Sequence, residues 1–517
     1  MRILLLRPPR YVWPFNRETS AFWQPLGLLA VAAAVRRDLP DVDIRIWDCP
    51  GEKVGWKTLE RRLAAHPIDV LGLGEETPSA HEALRAAELA KRLHPGCLIV
   101  AGGTYFPYAV EETLADGRID CIVRGEGELT FVELLRRLDD RASWPSIAGL
   151  AFRNAEGRIV VTPPRDLIED LDSLSFPAYD LVDMTRYGRG SRNHPALVSI
   201  EHSRGCTDSC RFCILWKHMG RPVGGNGDVR PCYRTKSPDR SFEEVLRLYR
   251  RFGRRTFGWV DPTFNASADW SDGWAERMLA SPLVGPRGRN RTVHTAWLRA
   301  DAVVRDERLG ILPKLVRAGL RQVMIGVERD DSAALAALGK HENGPDVCRE
   351  AFAIFREKHP QVYTIGSVIF GLPSDTPDDL RRLARLERDL RMDYCFFIPL
   401  TPNPGTAVAD EARRSGRLVS RNLASYNFHT PVCSTETLDL RDLESLYWRL
   451  MIRPSANRLA DWLRRVALER DPRRRRVHLA LLRHGTRIAL ESLLRTVFRP
   501  ADREPALYSR RPKWYDQ

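Results

Sequence analysis

The chain has 517 residues, 43% hydrophobic and 29% charged, with 10 cysteines and a formal net charge of +14. That length implies more than one domain, and the balance fits globular units with sizeable cores. The sequence lacks the run of roughly eighteen apolar residues that a membrane-spanning helix needs. The opening Met1-Arg2-Ile3-Leu4-Leu5-Leu6-Arg7 is too short an apolar run for a secretory signal. Cysteines without such a signal predict a reducing, cytoplasmic setting. The positive charge gathers at the end, where Met451 to Gln517 carry seventeen Lys or Arg against seven Asp or Glu. Aromatics are not interleaved there as a nucleic-acid stacking platform requires, so no nucleic-acid partner is expected. The plain reading is a solvated basic helical face; the alternative is peripheral contact of this C-terminal region with an anionic membrane.

In chain order, Arg2 to Arg7 reads as a buried strand, Leu26 to Arg37 as a helix and Val42 to Trp47 as a strand. Val70 to Gly74 is a further buried strand. Ser79 to Leu93 is a helix with Ser79 as its expected cap. Cys97 to Ala101 and Cys121 to Val123 are strands, and Glu128 to Leu138 is a helix. This alternation predicts a parallel, doubly wound sheet, whose ligands bind outside the carboxyl ends of the strands. The loops there are Glu75-Glu76-Thr77-Pro78, Gly102-Gly103-Thr104-Tyr105 and Gly125-Glu126-Gly127-Glu128. Their glycines permit a flat or phosphate-bearing ligand to approach the backbone, although glycine after a strand is also ordinary turn chemistry.

Residues 144–192 read as a connector with a small hairpin over Leu150 to Val161, turning at Asn154-Ala155-Glu156-Gly157. Alternation resumes at the strand Leu197 to Glu201. The expected helices are Phe242 to Phe252 and Ile311 to Ala318. The expected strands are Thr256 to Val260, Thr292 to Leu298, Gln322 to Val327, Tyr363 to Phe370 and Phe396 to Leu400. Beyond Ala407 the pattern is helical, over Asp439 to Met451, Ala456 to Leu468 and a basic amphipathic Val477 to Phe498.

The densest chemistry lies between the two alternating regions, in Cys206-Thr207-Asp208-Ser209-Cys210-Arg211-Phe212-Cys213. A structural zinc site takes four ligands, usually as two separated pairs. Three thiols on one short loop leave a position open, and an iron–sulfur cluster so held keeps one iron for a non-protein ligand. An odd number of cysteines also fits disulfides poorly. Cys49, Cys97, Cys121, Cys348, Cys395 and Cys433 have no ligand spacing and read as core; Cys232 is close enough in sequence to act as a substrate-side thiol or second ligand.

Cys206, Cys210 and Cys213, with Phe212 before the last of them, resemble the cluster loop of the radical S-adenosylmethionine (SAM) enzymes. Coming after the three loops of the first region, they resemble in particular the cobalamin-dependent members of that family. The resemblance implies an α/β protein with a Rossmann-like cobalamin-binding domain at 1–143, a linker at 144–192, a partial (β/α)6 barrel at 193–408 and a helical region at 409–517. It implies a 4Fe-4S cluster on the three cysteines, with SAM on its open iron. Phe212, Asp261, Glu328, Ile369 and Gly371 would then contact SAM; Glu76, Thr77, Gly102, Gly103, Gly125 and Glu126 would contact cobalamin. The D-x-H-x-x-G motif that supplies a cobalt-ligating histidine elsewhere is missing. His81 lies inside a helix without the flanking residues and reads as a surface or packing side chain.

The chemistry the resemblance implies begins with reductive cleavage of SAM to a 5′-deoxyadenosyl radical, fed by a flavodoxin or ferredoxin. Hydrogen abstraction from an unactivated carbon and methyl transfer from methylcobalamin follow. The substrate would be a small molecule or a lipid or tetrapyrrole. The same domain order serves a ring-forming magnesium-protoporphyrin ester cyclase, and a non-catalytic cobalamin or cluster sensor is the reading from another class.

Overall fold

In a computed structural model, residues 1–10, 23–188, 196–224, 228–285, 290–340, 344–446 and 514–517 are described, with isolated positions between 463 and 479. The first sheet holds β1 (Arg2–Arg7), β2 (Asp43–Asp48), β3 (Val70–Gly74), β4 (Leu98–Gly102), β5 (Cys121–Val123), β6 (Leu150–Arg153) and β7 (Ile159–Val161). Its order is β2-β1-β3-β4-β5-β6-β7; the first five strands are parallel and the last two join antiparallel. The unbroken apolar run of β1 has a simple cause, because both faces are covered. Ile3 and Leu5 point into one core, with the helices Leu26–Asp38 and Gly127–Arg136. Leu4 and Leu6 point into the other, with Trp56–Ala65 and Ala80–Leu93. The hairpin expected in the connector instead extends this sheet beyond β5. The strand order reverses between β1 and β3, so the crevice outside their carboxyl ends opens beside Arg10 and Glu75-Glu76-Thr77.

The second region starts with β8 (Leu197–Ile200) and β9 (Ser203–Cys206), followed by β10 (Arg221–Val223), β11 (Asp228–Arg230) and β12 (Cys232–Thr235). Strands β9 and β12 pair antiparallel, as do β10 and β11. No element was expected at β10, β11 or β12, where the sequence is polar and rich in Arg and Gly. Then come β13 (Thr256–Trp259), β14 (Val293–Leu298), β15 (Leu320–Glu328), β16 (Tyr363–Phe370) and β17 (Tyr394–Pro399). Six parallel strands run in sequence order, β8-β13-β14-β15-β16-β17, with helices between them. This is a partial barrel, and its carboxyl-end loops form the functional rim.

The linker is ordered onto both units. Ala178 donates its amide to Leu29 O at 3.0 Å, and the Tyr179 hydroxyl donates to Ser199 O at 2.8 Å. Residues 440–446 are helical, as are the described positions 463, 466–468 and 479; most of the rest of the three expected C-terminal helices, with most of the basic stretch, lies outside the described residues. No helix among the described residues is long and apolar enough to cross a membrane.

Candidate active site

The three-cysteine loop leaves the end of β9 at a point only glycine fits. Gly205 has φ of +87°, and a Cβ there would sit 1.8 Å from Cys232 O on β12. All three loop cysteines are free thiols and partly buried. The loop is tied down by hydrogen bonds to its backbone and its polar side chains. Arg211 donates its amide to Leu338 O at 2.9 Å, Trp216 donates Nε1–H to Cys210 O at 2.9 Å, and Arg299 donates to Thr207 Oγ1 and Asp208 Oδ1, each at 2.6 Å. Burial pushes the Cys210 thiol up to about 12, while the Lys340 ammonium pulls the other way; burial also raises Cys213. Cys232 pairs in register with Cys206 across β9 and β12 and receives a contact from Arg221 at 3.5 Å. The remaining cysteines are buried core residues, and His81 is exposed on its helix.

Glu328 ends β15 beside a register irregularity, with φ of +61°. A non-glycine residue in that conformation is strained, and such strain concentrates at functional sites. Its carboxylate accepts from Lys340 Nζ at 3.1 Å and from Ser367 Oγ at 3.4 Å, and lies within electrostatic reach of Cys210 and Cys213. Phe212 packs on one apolar cluster with Ile369, Leu338, Leu372 and Leu400. Gly371 begins the turn after β16. Its amide and that of Leu372 donate to Asp375 Oδ2 at 2.8 and 3.0 Å, and Arg329 closes a buried bidentate pair with Asp375 at 2.7 and 2.9 Å. Thus Cys210, Cys213, Phe212, Glu328, Ile369 and Gly371, scattered over 162 positions of the sequence, gather at one end of the barrel.

Asp261, expected to contact SAM, is instead buried against the start of β9. Its Oδ1 accepts from the amides of His202 and Ser203, at 2.9 and 2.6 Å, and from Ser203 Oγ at 2.7 Å, while Oδ2 is buried without a partner. Burial pushes its carboxyl up to about 7, against the pull of those hydrogen bonds. The residue braces the entry into β9.

On the first sheet, Gly103 has φ of +85°, and a Cβ would meet Glu75 O and N at 2.5 and 2.6 Å, so the β3 and β4 loops touch through this glycine. Gly102 ends β4, and Gly125 (φ +77°) faces open space, with nothing within 4 Å of the point a Cβ would occupy. Thr77 is buried and Glu76 exposed. Glu75, which the sequence places in this loop without a role of its own, is the inward carboxylate. It pairs with Arg10 at 2.7 Å, and its other oxygen is buried without a partner. Ser79 does not cap its helix; its hydroxyl accepts from Arg10 at 2.6 Å. The carboxylate of Glu126, expected to contact cobalamin, instead faces neighbouring strands of the second region, where Arg204 and Arg234 reach it at 2.9 and 3.0 Å. Beside it, Pro107, Tyr108, Arg124, Lys217 and His218 line a cleft between the two sheets.

These two units define a class: a doubly wound ligand-binding domain whose loops meet a partial barrel carrying a three-thiol loop. Comparison with known proteins agrees. Residues 14–135 match the B12 binding domain family, and residues 200–386 match the Radical SAM superfamily. An uncharacterized methyltransferase of Pyrococcus horikoshii is 27% identical over 433 residues, covering 84% of this chain and 87% of that protein. The anaerobic magnesium-protoporphyrin IX monomethyl ester cyclase of Rubrivivax gelatinosus is 24% identical over 449 residues, covering 86% and 75%. The fold matches the radical SAM methyltransferase TsrM of Kitasatospora setae, solved with cobalamin and a 4Fe-4S cluster bound, at a TM-score of 0.64 and 17% identity over 87% of this chain and 88% of that one. The chain is a radical SAM enzyme with an N-terminal B12-binding domain.

The residues present fit the cofactors of those two domains. Three free thiols on one loop suit a cluster with one open iron, and iron coordination would deprotonate Cys210 and Cys213, whose thiols burial raises. The strained Glu328, the Phe212–Ile369 wall and the Gly371 turn surround that loop with an acceptor, an apolar face and an accessible backbone. On the first sheet, the open space over Gly125 and the orphaned oxygen of Glu75 leave room and an acceptor for a large, amide-rimmed ligand.

Proposed function

We propose that this enzyme is a cobalamin-dependent radical SAM methyltransferase acting on an unactivated carbon. The observation that carries the reading is the gathering of Cys206, Cys210, Cys213, Glu328 and Phe212 at a barrel rim, joined directly to a loop of the B12-binding domain through Glu126. Similarity to the Pyrococcus horikoshii methyltransferase over 84% of the chain supports methyl transfer as the outcome.

In this reading Cys206, Cys210 and Cys213 hold the cluster. Glu328 accepts from the ribose hydroxyls of SAM, a task for which a carboxylate with two acceptor oxygens is suited. Phe212 and Ile369 flank the adenine, and the backbone at Gly371 lies along it. Asp261 fixes β9, and with it the position of Cys206. Gly102, Gly103 and Gly125 would present backbone to cobalamin, and Thr77 and the exposed Glu76 would lie at the same loop edge. The bound cofactors supply one-electron cleavage of SAM to a carbon radical and a transferable methyl group. The protein positions them and excludes water; an electron donor of the flavodoxin or ferredoxin class provides the reducing equivalent. Domain limits near 143, 192 and 408 follow from the same reading.

The test is anaerobic reconstitution with iron, sulfide, hydroxocobalamin, reductant and SAM, followed by absorption spectroscopy and product analysis. Methylated cobalamin on the protein, with S-adenosylhomocysteine and 5′-deoxyadenosine, is the expected result. Deoxyadenosine with cobalamin that stays unmethylated, in the presence of a tetrapyrrole ester that becomes cyclised, would replace this reading with the cyclase one. That reading draws on similarity to the Rubrivivax gelatinosus cyclase over 86% of the chain.

A further inference from the structure

The seam between the two domains contains a buried ion network that no cofactor role explains. Arg204 of β9 donates to Glu126 Oε1 at 2.9 Å and to Glu128 Oε1 at 2.6 Å, both on the loop and first turn after β5, and to Glu201 Oε1 at 3.0 and 3.1 Å. Arg234 lies directly opposite Arg204 on β12. It donates to both oxygens of Glu126, at 3.1 and 3.0 Å, and to Ile168 O at 2.5 Å. Glu126 Oε2 also accepts from the Ile168 amide at 2.8 Å. The side chains of Arg204, Arg234, Glu126 and Glu128 are each at most 6% exposed. Removing one partner from a desolvated group of this kind strands the others, so the arrangement moves as a unit.

Its position gives it a task. Arg204 is two residues from Cys206, and Arg234 is two residues from Cys232, the register partner of Cys206. Glu126 is one residue from Gly125, whose backbone faces open space at the ligand edge of the first sheet. The geometry points to Arg204 and Arg234 as positioning residues: through Glu126 and Glu128 they register the cluster-bearing hairpin β9/β12 on the β5 loop, so that occupancy of the B12-binding domain orders the cluster loop. This inference rests on the cofactor reading above. Exchange of either arginine for lysine keeps the charge but loses the planar fork that serves several carboxylates at once.

Another seam contact provides the control. Gln24 bonds Leu197 O at 3.0 Å and the Ser199 amide at 2.8 Å, reaching β8 rather than β9. The test is hydrogen exchange on the full chain, with and without hydroxocobalamin, for wild type, Glu128→Gln, Arg204→Lys and Gln24→Ala. Without cobalamin, residues 203–213 are expected to exchange about tenfold faster in Glu128→Gln and Arg204→Lys than in wild type, while 256–259 stay unchanged. With hydroxocobalamin, wild type and Gln24→Ala gain protection over 203–213. The two network variants gain it only in the loops of the first sheet. Equal exchange of 203–213 in wild type and Arg204→Lys, or protection transmitted equally in all four proteins, overturns the inference. Failure of wild type to retain hydroxocobalamin, read from its absorption, counts against the cofactor reading instead. The cobalamin-free comparison then still decides the clamp, and Arg204→Lys decides it if Glu128→Gln does not fold.

Discussion

The two ligand edges of this molecule are built in opposite ways. At the barrel rim the candidate groups are side chains with polar atoms left for a guest: three free thiols, and a strained glutamate held by one lysine and one serine. At the edge of the first sheet the carboxylates are largely committed. Glu126 serves Arg204, Arg234 and Ile168, and one oxygen of Glu75 serves Arg10; what faces outward is the exposed Glu76 and the backbone at Gly125. A metal cluster and a sulfonium need directional donors, whereas a broad macrocycle is held by shape and many backbone contacts. The contrast teaches that mutation should act by deletion of chemistry on one side and by distortion of shape on the other.

The sharpest break in that comparison is Cys210→Ala. Loss of a cluster ligand is expected to abolish iron–sulfur absorption after reconstitution and all formation of deoxyadenosine, while hydroxocobalamin retention stays at the wild-type level. Continued SAM cleavage in this variant would remove the basis for the active-site assignment.

Next in size is Arg329→Ala. It strands Asp375, whose Oδ2 also holds the Gly371–Leu372 turn, in a site where both partners are 2% exposed. Breaking such a pair costs about 3–5 kcal/mol, measurable by urea unfolding. A loss below about 1 kcal/mol would mean that water reaches the pair, as it does at surface ion pairs.

How much of this was legible in the sequence depended on the range of the interaction involved. Local patterns are readable: the strands and helices expected before residue 407 end within two residues of their observed limits, apart from the helix expected to begin at Phe242, which begins at Pro238, whereas helices such as Trp56–Ala65, Ala268–Leu279 and Pro345–Lys358 carried no expectation. The three-cysteine loop was read with its neighbours Phe212, Glu328 and Ile369, which the structure gathers at one rim. Strand alternation alone could have separated Glu75 from Glu76, because consecutive side chains leaving a strand face opposite ways. The clamp was not readable. Arg204 looks like any exposed arginine in Ser203-Arg204-Gly205, and its partners across the seam lie 76 and 78 positions away. The β9/β12 hairpin was hidden for the same reason, since its pairing depends on Gly205 lying against Cys232 O.

Asp261 gives a pH-dependent test on the barrel side. Burial raises its carboxyl from 3.8 to about 7. Between those values the folded chain holds a proton that the unfolded chain has lost, so this residue's contribution to stability falls as pH rises through the window. The steepest slope for one proton is about 1.4 kcal/mol per pH unit. Asp261→Asn removes the titration and keeps an oxygen to accept from His202 and Ser203. The variant should therefore gain stability relative to wild type between about pH 4.5 and about pH 7.5, read as diverging urea midpoints. Parallel midpoints across that range would mean that the three hydrogen bonds to Oδ1 keep the carboxylate ionised.

The smallest effects come from two glycines on the first sheet, and they separate strain from contact. Gly103 and Gly125 both adopt left-handed backbone, at φ of +85° and +77°. Alanine at either position pays the left-handed penalty of about 1–2 kcal/mol. At Gly103 the added methyl also meets the Glu75 backbone at 2.5 Å, so the β3 and β4 loops must separate; at Gly125 it meets nothing within 4 Å. Gly103→Ala should therefore lose more stability than Gly125→Ala. Hydroxocobalamin retention should discriminate them in another way. Gly125→Ala leaves the protein framework in place and places a methyl in the space assigned to the ligand, so its loss of retention should exceed its loss of stability. If Gly125→Ala retains cobalamin as wild type does, the macrocycle does not lie against that loop, and the shape-built edge narrows to the β3 and β4 loops around Gly103.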